Sequence, residues 1–518
     1  KHKASYDVEI DVLNPNPLTR RYKEVLIRPG ASGTFSWDSF GVTGSNRAQV
    51  EVSTFPAINL AGRMDYLIHY PHGCVEQITS GVFPQLYLAD IADIDQARKS
   101  SIQRNVSAGI QKLAGYQNTA GGFSYWPGQS NPDDWSTSYA GHFLIEAEKK
   151  GYALPANLKS SWLGYQARTA REWRYNPQYR NDFAQAYRLY TLALAGKADL
   201  SSMNRLRETV GISNETRLRL AAAYALAGQK SAGLRLLNTS KIEPAPDKND
   251  WYYYGSPERN RAMTAETLLL LGREKEAFAA ARKIAESLSS GVWMSTQTTA
   301  MSLFAVSKYA RMYASGGVDA TLAVNGAAMD IKSAKSFANR DIAVKTKNQL
   351  NVKNNQTVPL YARVMYSGVL PVGREQVEQR GVLTTVSYRD RQGQPVNVQS
   401  LRQGTEFVAH ITVTSQSAEA VKNMALTHII PSGWEIINTR YTDYGGFGQN
   451  KADYIDIRDD RTHFYFDLAA RETKTFKVLL NASYPGDYYL AGVQCEAMYD
   501  NNFLSRTRGE WVKVEKSQ

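Results

Sequence analysis

The chain has 518 residues, of which 43% are apolar and 21% are charged. These proportions are typical of globular proteins, exclude extensive disorder and collagen-like repeats, and with this length predict three or four domains. The 61 Lys and Arg exceed the 49 Asp and Glu by 12, but they are scattered among acidic residues, which favours a solvated basic surface over a nucleic-acid-binding site.

Cysteine and histidine usage bounds the chemistry further. The two cysteines, Cys74 and Cys495, are too few for a disulfide framework or a cysteine-rich zinc site. The seven histidines lack zinc-binding spacing, so we predict no metal and no cofactor. No segment has the ~18 consecutive apolar residues of a membrane span. The first residues contain neither an initiator Met nor a signal-peptide core, so we expect an excised piece of a longer protein.

The pattern of apolar residues changes twice along the chain. Alternation predicts strands at 8–12, 25–27 and 50–52. From about residue 56 to residue 314 the spacing becomes helical. Three predicted helices end at a glycine suited to a left-handed cap, and these glycines, Gly196, Gly228 and Gly272, lie 32 and 44 residues apart. Such uneven spacing indicates helical hairpins rather than a strict repeat.

Alternation returns after residue 317. We predict strands at 322–324, 361–366, 382–388, 406–413, 428–430, 463–466, 473–480 and 511–514. Short strands at such regular intervals are typical of a β-sandwich. The plan is therefore a β-domain interrupted by a helical domain, followed by a second β-domain.

The sharpest chemical signal is Gly73-Cys74-Val75-Glu76-Gln77 at the start of the helical region. Gly73 permits a tight turn, and the positive end of a helix favours a cysteine thiolate. Gln77 lies one turn later on the same face, which brings its side-chain carbonyl to the sulfur, as a thioester between the two requires. For a lone cysteine the alternative is a buried, inert side chain followed by ordinary polar helix residues.

The motif Gly-Cys-x-Glu-Gln should occur by chance in roughly one in a thousand chains of this length. It resembles the thioester motif of the α-2-macroglobulin and complement family. Further segments resemble the bacterial α-2-macroglobulins, namely Tyr70-Pro71, Thr79-Ser80-Gly81, Pro84 and residues 121–128, 135–140, 254–256, 458–461 and 496–500. One departure is His72, where we expect an aromatic residue such as Tyr.

The resemblance implies a multidomain α + β fold. An α/α-toroid thioester domain at 56–314 would be inserted in a CUB-like β-domain, whose halves are 1–55 and 315–380. A macroglobulin-type, receptor-binding-like β-sandwich at 381–518 would close the chain. We expect no bait region here, since it should lie upstream of Lys1.

The function implied by the resemblance is protease inhibition rather than enzymatic turnover. In the family, a protease cuts the bait region, the molecule rearranges, and the thioester formed here by Cys74 and Gln77 would acylate the attacking protease. Bacterial relatives are periplasmic, commonly lipoproteins of the inner membrane, and act in defence beside a penicillin-binding protein. Target proteases are thus the expected partners.

A thioester survives only where water is excluded. We expect Tyr70 and the pair Met498 and Tyr499 to cover the bond, with Gly73 and Glu76 in support. Tyr125 and Trp126 are candidate lining residues, with core packing as the alternative.

Histidine usage favours amines as the target of the thioester. The hydroxyl-selective complement members use a downstream histidine, and none occurs here between His142 and His410, which favours coupling to amines. For His72 and His142 we predict structural roles.

Two other classes of function stay open. A carbohydrate-active enzyme or terpene cyclase on an α/α-toroid would need paired carboxylates or an acidic metal cluster. Asp133-Asp134 is the doublet available, and acidic residues also commonly begin helices. A helical-repeat adaptor is the other alternative, against which the uneven spacing counts. We predict that Cys495 is a free, buried thiol.

Overall fold

The computed structural model describes residues 14–516 except 17, 57, 70–72, 180, 245–252, 291–292, 314–316, 376 and 439–451. The strand predicted at 8–12 lies outside the described residues. The remainder divides into two compact units. One comprises Tyr22–Asp38 and Ala48–Met365, and the other the described parts of Lys1–Arg21, Ser39–Arg47 and Tyr366–Gln518.

The described helices follow one another between two groups of strands. They are α1 (Leu60–His69), α2 (Val75–Val82), α3 (Leu88–Ile91), α4 (Gln96–Ala114), α5 (Asp134–Lys149), α6 (Leu158–Glu172), α7 (Asp182–Leu194), α8 (Leu200–Glu208), α9 (Asn214–Leu226), α10 (Lys230–Asn238), α11 (Pro257–Leu271), α12 (Glu274–Ser289) and α13 (Thr296–Tyr313), with a short 3-10 helix at Pro84–Tyr87. None of the described helices is both long and apolar enough to cross a membrane.

Three strands precede the helices: β1 (Leu18–Ile27), β2 (Ser32–Asp38) and β3 (Arg47–Ser53). The strands that follow are β4 (Val318–Val324), β5 (Ala327–Ser333), β6 (Phe337–Ile342), β7 (Lys347–Asn354), β8 (Leu360–Val369), β9 (Glu378–Arg380), β10 (Val382–Arg389), β11 (Leu401–Arg402), β12 (Glu406–Ser415), β13 (Val421–Ile429), β14 (Trp434–Ile436), β15 (Tyr454–Ile457), β16 (Arg461–Leu468), β17 (Thr473–Ala482), β18 (Gly486–Leu490), β19 (Gln494–Ala497), β20 (Asp500–Arg506) and β21 (Glu510–Glu515).

Six helices form a closed inner ring. In order around the ring, α2, α5, α7, α9, α11 and α13 each contact the next, and α13 returns to α2. Outside this ring, α4, α6, α8, α10 and α12 pack on their inner neighbours. The inner helices are buried on nearly all sides, as α7 illustrates, whereas outer helices such as α6 bury a single stripe. This double ring is the predicted α/α-toroid.

Left-handed glycines end three helices as predicted. Gly196, Gly228 and Gly272 have φ angles of 71°, 76° and 74°. Each follows an inner helix, namely α7, α9 or α11, and precedes the next outer one. A residue with a Cβ would be strained at this φ, so glycine sets the point where the chain leaves each inner helix.

The helical domain is inserted in a β-domain, because strands on either side of it pair with one another. Before the insertion lies β2, which pairs antiparallel with β7 after it, and β3 pairs in the same way with β6. The resulting four-stranded sheets have the orders β1-β8-β3-β6 and β2-β7-β4-β5. Both ends of the helical domain are therefore tied to one β-domain, as the sequence predicted.

The C-terminal region is a β-sandwich, also as predicted. One sheet has the order β10-β12-β17-β14 and another the order β15-β16-β13-β19-β20-β9, with a smaller sheet β11-β21-β18 beside them. Phe476 of the first sheet packs against Phe464 and Phe466 of the second, with ring centroids 4.9 and 4.5 Å apart. The aromatic core between the sheets holds the sandwich together. The exact domain bounds remain predictions.

Candidate functional site

Cys74 is the residue that precedes the first turn of α2. Its backbone is extended, with φ −70° and ψ 165°, while Val75 is already helical. The Val75 amide donates to the Tyr125 carbonyl oxygen at 3.1 Å, which ties the start of α2 to the loop that follows α4. The cysteine side chain is fully buried. Cys74 is thus held at the positive end of a helix, away from solvent.

Gln77 folds back toward Cys74, as the three-residue spacing predicts. The two form a capping box, in which each side chain faces the backbone amide of the other residue. The Cys74 amide donates to Gln77 Oε1 at 3.3 Å, and only 4% of Gln77 is exposed. The structure therefore brings together the two residues that the motif predicts to react.

Glu76 ties α2 to two neighbouring helices. Its carboxylate accepts hydrogen bonds from Ser80 in the next turn and from Thr296, at 2.9 Å, at the start of α13. Ser80 also lies 3.0 Å from the Tyr139 hydroxyl of α5. Glu76 is fully buried, so these hydroxyls supply the hydrogen bonds that its carboxyl group cannot make to water. The predicted supporting role has a structural basis in this network.

The described residues do not crowd Gly73. A Cβ at this position would meet nothing within 4 Å among the described atoms. Its carbonyl oxygen accepts a hydrogen bond from the Tyr116 hydroxyl. That bond fixes the backbone immediately before Cys74.

Aromatic side chains surround the start of α2. Tyr125 stacks on Tyr254 with ring centroids 5.4 Å apart and planes inclined by 21°, and it meets Trp126 edge-on at 5.3 Å. Tyr254 has a φ of 52°, which a non-glycine residue adopts only when its surroundings enforce it. Burial raises the pKa of Tyr254 well above its usual value. Both predicted lining residues thus belong to an aromatic cluster next to the motif.

The acidic doublet has structural roles in the helical domain. Asp133 caps α5 by accepting from the Ser136 amide at 2.7 Å, as the helix-start interpretation predicted. Asp134 pairs with the buried Arg188 at 2.7 Å. Burial raises the pKa of Asp133. Both carboxylates therefore have structural partners within the helical domain. Among the described residues, no group of three or more His, Cys, Asp or Glu is suited to bind a metal.

His142 is a buried, hydrogen-bonded core residue, as predicted. Its Nδ1 lies 3.0 Å from the Tyr187 hydroxyl, and the rings of Phe83 and Phe304 pack edge-on against it. Burial lowers its pKa to about 3, so the ring is neutral at physiological pH. His72 lies outside the described residues, and so does Tyr70, whose shielding role stays a prediction.

Met498 and Tyr499 form the two-residue turn between β19 and β20. Hairpin turns are ordinarily exposed, yet only 1% of Met498 and 6% of Tyr499 are. Cys495 precedes them on β19, fully buried and in no disulfide, and its position in the core matches the prediction. Burial raises the pKa of its thiol well above the usual value, which keeps it protonated.

Two stretches of the chain match family models. Residues 50–171 match the A-macroglobulin TED domain, and residues 381–502 match the bacterial α-2-macroglobulin MG10 domain. The first stretch contains Cys74 and Gln77. The resemblance to the bacterial α-2-macroglobulins is confirmed. This is a family of protease inhibitors with a thioester domain, and the relatives are inhibitors rather than enzymes.

Individual α-2-macroglobulins align with most of the chain. A curated relative from Escherichia coli K12 is 25% identical over 494 residues, covering 87% of this chain and 29% of the relative. The chain therefore spans about three tenths of that relative's length.

Solved α-2-macroglobulin structures share the fold. The native Escherichia coli protein from domain MG7 to its C-terminus is 21% identical, with a TM-score of 0.81 over 96% of this chain and 82% of that one. A Salmonella α-2-macroglobulin reacted with methylamine is 25% identical, with a TM-score of 0.82 over 96% of this chain and 34% of that one.

Several residues around this α-2-macroglobulin motif were not predicted from the sequence. Tyr116, Tyr139 and Thr296 all join its hydrogen-bond network, and Tyr254 joins its aromatic cluster. Thr296 lies 220 residues from Glu76 along the chain. The run of polar residues 295–299 at the start of α13 is the local sequence signal for this contact, and the structure buries all five of these side chains.

Proposed function

We propose that Cys74 and Gln77 are joined by a thioester that couples to amines. The observation that carries the proposal is the buried pairing of the two residues in one helical turn. The Cys74 amide donates a hydrogen bond to Gln77 Oε1 at 3.3 Å. That amide polarises the carbonyl group and makes its carbon more electrophilic. The Salmonella relative that reacted with methylamine supports the same chemistry.

Formation and cleavage of the bond balance as two acyl transfers. In the first, the Cys74 sulfur attacks the Gln77 side-chain carbonyl carbon, the C–N bond breaks, and the amide nitrogen takes the thiol proton and leaves as ammonia. In the second, a primary amine attacks the same carbon, the C–S bond breaks, and the amine's surplus proton ends on the sulfur. The products are a substituted amide at Gln77 and a thiol at Cys74. The chemistry occurs once per molecule, so the protein is an inhibitor and not an enzyme.

The amine that we propose as the natural target is a lysine of an attacking protease. Acylation of that lysine would leave the protease covalently attached through Gln77. Family membership supports the protease as target, and the lack of a histidine between His142 and His410 supports amines over hydroxyls. Cleavage of a bait region would trigger the reaction in a longer parent chain.

Incorporation of a fluorescent primary amine tests the proposal. We expect label at Gln77 on peptide mapping, together with a new thiol at Cys74. Cys74→Ala and Gln77→Glu should both prevent labelling, the first because the nucleophile is gone and the second because a carboxylate has no ammonia to release. Cys495→Ala is the matched control, since it removes the other buried cysteine. Label on lysines or other glutamines, independent of Cys74, would refute the thioester.

A cover over the bond is the second part of the proposal. Tyr70 from the helical domain and Met498 with Tyr499 from the last β-domain would exclude water from the thioester. The resemblance of residues 496–500 to the last domain of the bacterial family supports their part. In Met498→Ala and Tyr499→Ala proteins, spontaneous hydrolysis of the bond should accelerate, whereas Met329→Ala on the partly exposed β5 should not change it. Equal hydrolysis rates in all three would remove the β-domain from the cover.

We infer the cellular setting from the family resemblance alone. We place the longer parent in the periplasm as a lipoprotein anchored to the inner membrane, where it would act in bacterial defence beside a penicillin-binding protein. Fractionation of cells that express the parent, with crosslinking to penicillin-binding proteins, tests both statements. Recovery in the cytosol would contradict the first, and absence of a crosslinked species would contradict the second.

A further inference from the structure

Arg259 is a fully buried cation in the first turn of α11. Its Nη1 donates to the Tyr253 carbonyl oxygen at 2.9 Å and to Gln297 Oε1 at 2.8 Å. The guanidinium also lies over the Trp135 ring, 4.5 Å from the ring centroid. Directed hydrogen bonds together with a stacked ring hold a planar guanidinium in one orientation. Arg259 therefore joins the starts of three inner helices, α5, α11 and α13.

The segment that leads into α11 fits closely around this guanidinium. A Cβ at Gly255 would lie 2.0 Å from Arg259 Nη2, so a side chain there would displace the guanidinium. Between Tyr253 and Gly255 lies Tyr254, with its left-handed φ of 52°. A non-glycine residue keeps this conformation only when its surroundings impose it. The contacts of Arg259 on either side of Tyr254 impose it here.

Tyr254 passes this constraint to the start of α2 through its ring. The ring stacks on Tyr125 with centroids 5.4 Å apart, and the Tyr125 carbonyl oxygen accepts from the Val75 amide at 3.1 Å. Val75 directly follows Cys74, so this hydrogen bond fixes the backbone that carries the sulfur. The route from Arg259 to Cys74 is therefore a continuous series of contacts.

A second route runs through α13. Gln297, which accepts from Arg259, directly follows Thr296, and the Thr296 hydroxyl donates to the Glu76 carboxylate at 2.9 Å. Glu76 lies in the first turn of α2. Both routes thus begin at the Arg259 guanidinium and end in the turn that contains the predicted bond.

We propose that Arg259 is a positioning residue for the chemistry of Cys74 and Gln77. It takes no part in the acyl transfer itself. It holds the first turn of α2 closed, which keeps the sulfur beside the side-chain carbonyl group and keeps water out. This role rests on the proposed thioester for its purpose, but access to the Cys74 sulfur reports it whether or not the bond forms.

Labelling of Cys74 by a thiol reagent in the Gln77→Glu chain tests the positioning. That chain has no ammonia to release, so its Cys74 thiol is free in every variant, and peptide mapping separates it from Cys495. The added substitutions are Arg259→Lys, Tyr254→Ala and Tyr254→Phe. A lysine keeps the charge but lacks the planar fork that reaches both acceptors of Arg259. The two Tyr254 variants test the same route if Arg259→Lys does not fold.

Arg219→Lys is the matched control. Arg219 is also buried on an inner helix, with 1% of it exposed, and its guanidinium lies over the Tyr190 ring. Its carboxylate partner Glu266 lies about two turns further along α11 than Arg259. Either lysine substitution should destabilise the helical domain, which urea unfolding measures. Only the one at Arg259 should open the first turn of α2.

Arg259→Lys and Tyr254→Ala should raise the rate of Cys74 labelling by roughly tenfold or more, because a lost hydrogen bond to a buried charge shifts a local equilibrium by about that factor. Tyr254→Phe keeps the stacked ring and should raise the rate less than Tyr254→Ala does. Arg219→Lys should label at the rate of the Gln77→Glu chain. Unchanged rates in Arg259→Lys and Tyr254→Ala, or equal increases in the two arginine variants, would overturn the proposal.

Intact mass separates this proposal from the thioester itself. With Gln77 restored, Arg259→Lys should lose the bond to hydrolysis faster than Arg219→Lys does, and equal rates of loss would count against the positioning role. A full sequence mass in the unaltered chain would refute the thioester, while the labelling rates would still decide whether Arg259 holds the Cys74 turn.

Discussion

Each compact unit of the chain buries one cysteine, and each buries histidine, in settings that differ. Cys74 and Cys495 are both fully buried. Cys74 precedes a helix, with the Gln77 side chain folded back on its amide at 3.3 Å. Cys495 lies within β19, paired across the sheet with Leu426. Burial alone therefore does not make a cysteine a site; an acyl group within reach of the sulfur is required as well.

The histidines repeat the contrast. In the helical domain, His142 shares a hydrogen bond with Tyr187 at 3.0 Å. In the β-sandwich, neither ring nitrogen of His428 has a partner among the described residues. His142 thus has a partner at one ring nitrogen, whereas burial leaves both nitrogens of His428 without a hydrogen bond to a described residue.

The largest expected effect separates the two cysteines. After treatment with methylamine, a thiol reagent should label Cys74 and leave Cys495 unlabelled until the protein is unfolded. Cys495→Ala should respond as the unaltered chain does, and Cys74→Ala should show no new thiol. Quantitative thiol labelling with peptide mapping measures this. If Cys495 were the thiol released by methylamine, the assignment of the site would be wrong.

The next largest effect concerns the Glu76 network. Glu76→Ala leaves the buried hydroxyls of Ser80 and Thr296 without their acceptor, so the free energy of unfolding of the helical domain should fall by about 3 kcal/mol. Glu76→Gln keeps an acceptor oxygen and should cost less. Urea unfolding followed by circular dichroism at the helical signal is the measurement. Equal stability of the Ala and Gln variants would show that the carboxylate does not hold α2 in place.

Acid should destabilise the sandwich through His428. Burial lowers the pKa of His428 to about 4 from 6.5, so the folded state disfavours the charged ring. Its stabilising contribution is complete above pH 6.5 and is lost as the pH falls toward 4, because the unfolded chain binds the proton first. We expect a loss of about 2 kcal/mol over this window, and a smaller loss in His428→Leu. Urea unfolding of the sandwich at pH 7 and pH 4.5 checks this, and parallel losses in both proteins would contradict it.

Alkaline pH should produce the smallest effect, at Cys495. Burial, with a lesser contribution from the Glu496 charge, raises the pKa of this thiol above its ordinary value of 9.0. Stability from the protonated thiol is complete below pH 9.0 and is lost above it, since the unfolded chain releases the proton first. Between pH 8 and pH 10 the unaltered chain should lose about 1 kcal/mol more than Cys495→Ala. The difference in melting temperature reports this, and an unchanged difference would show that the thiol already ionises in the folded state.

Local patterns in the sequence predict the elements whose signals are local. The three cap glycines and the return of Gln77 toward Cys74 follow from helix geometry and are confirmed. Strand β5 was not predicted because it is mostly exposed and shows no apolar alternation. The Thr296 partner of Glu76 was not predicted either, since only the closed ring brings α13 to α2.

Intact mass of freshly prepared native protein tests the thioester most directly. If Cys74 and Gln77 are joined, the mass should be lower than that of the sequence by one ammonia molecule. Methylamine should then raise the mass by one methylamine, and Cys74→Ala should have its full sequence mass before and after treatment. A native protein at full sequence mass, with a Cys74 that a thiol reagent labels and no uptake of methylamine, would contradict the account.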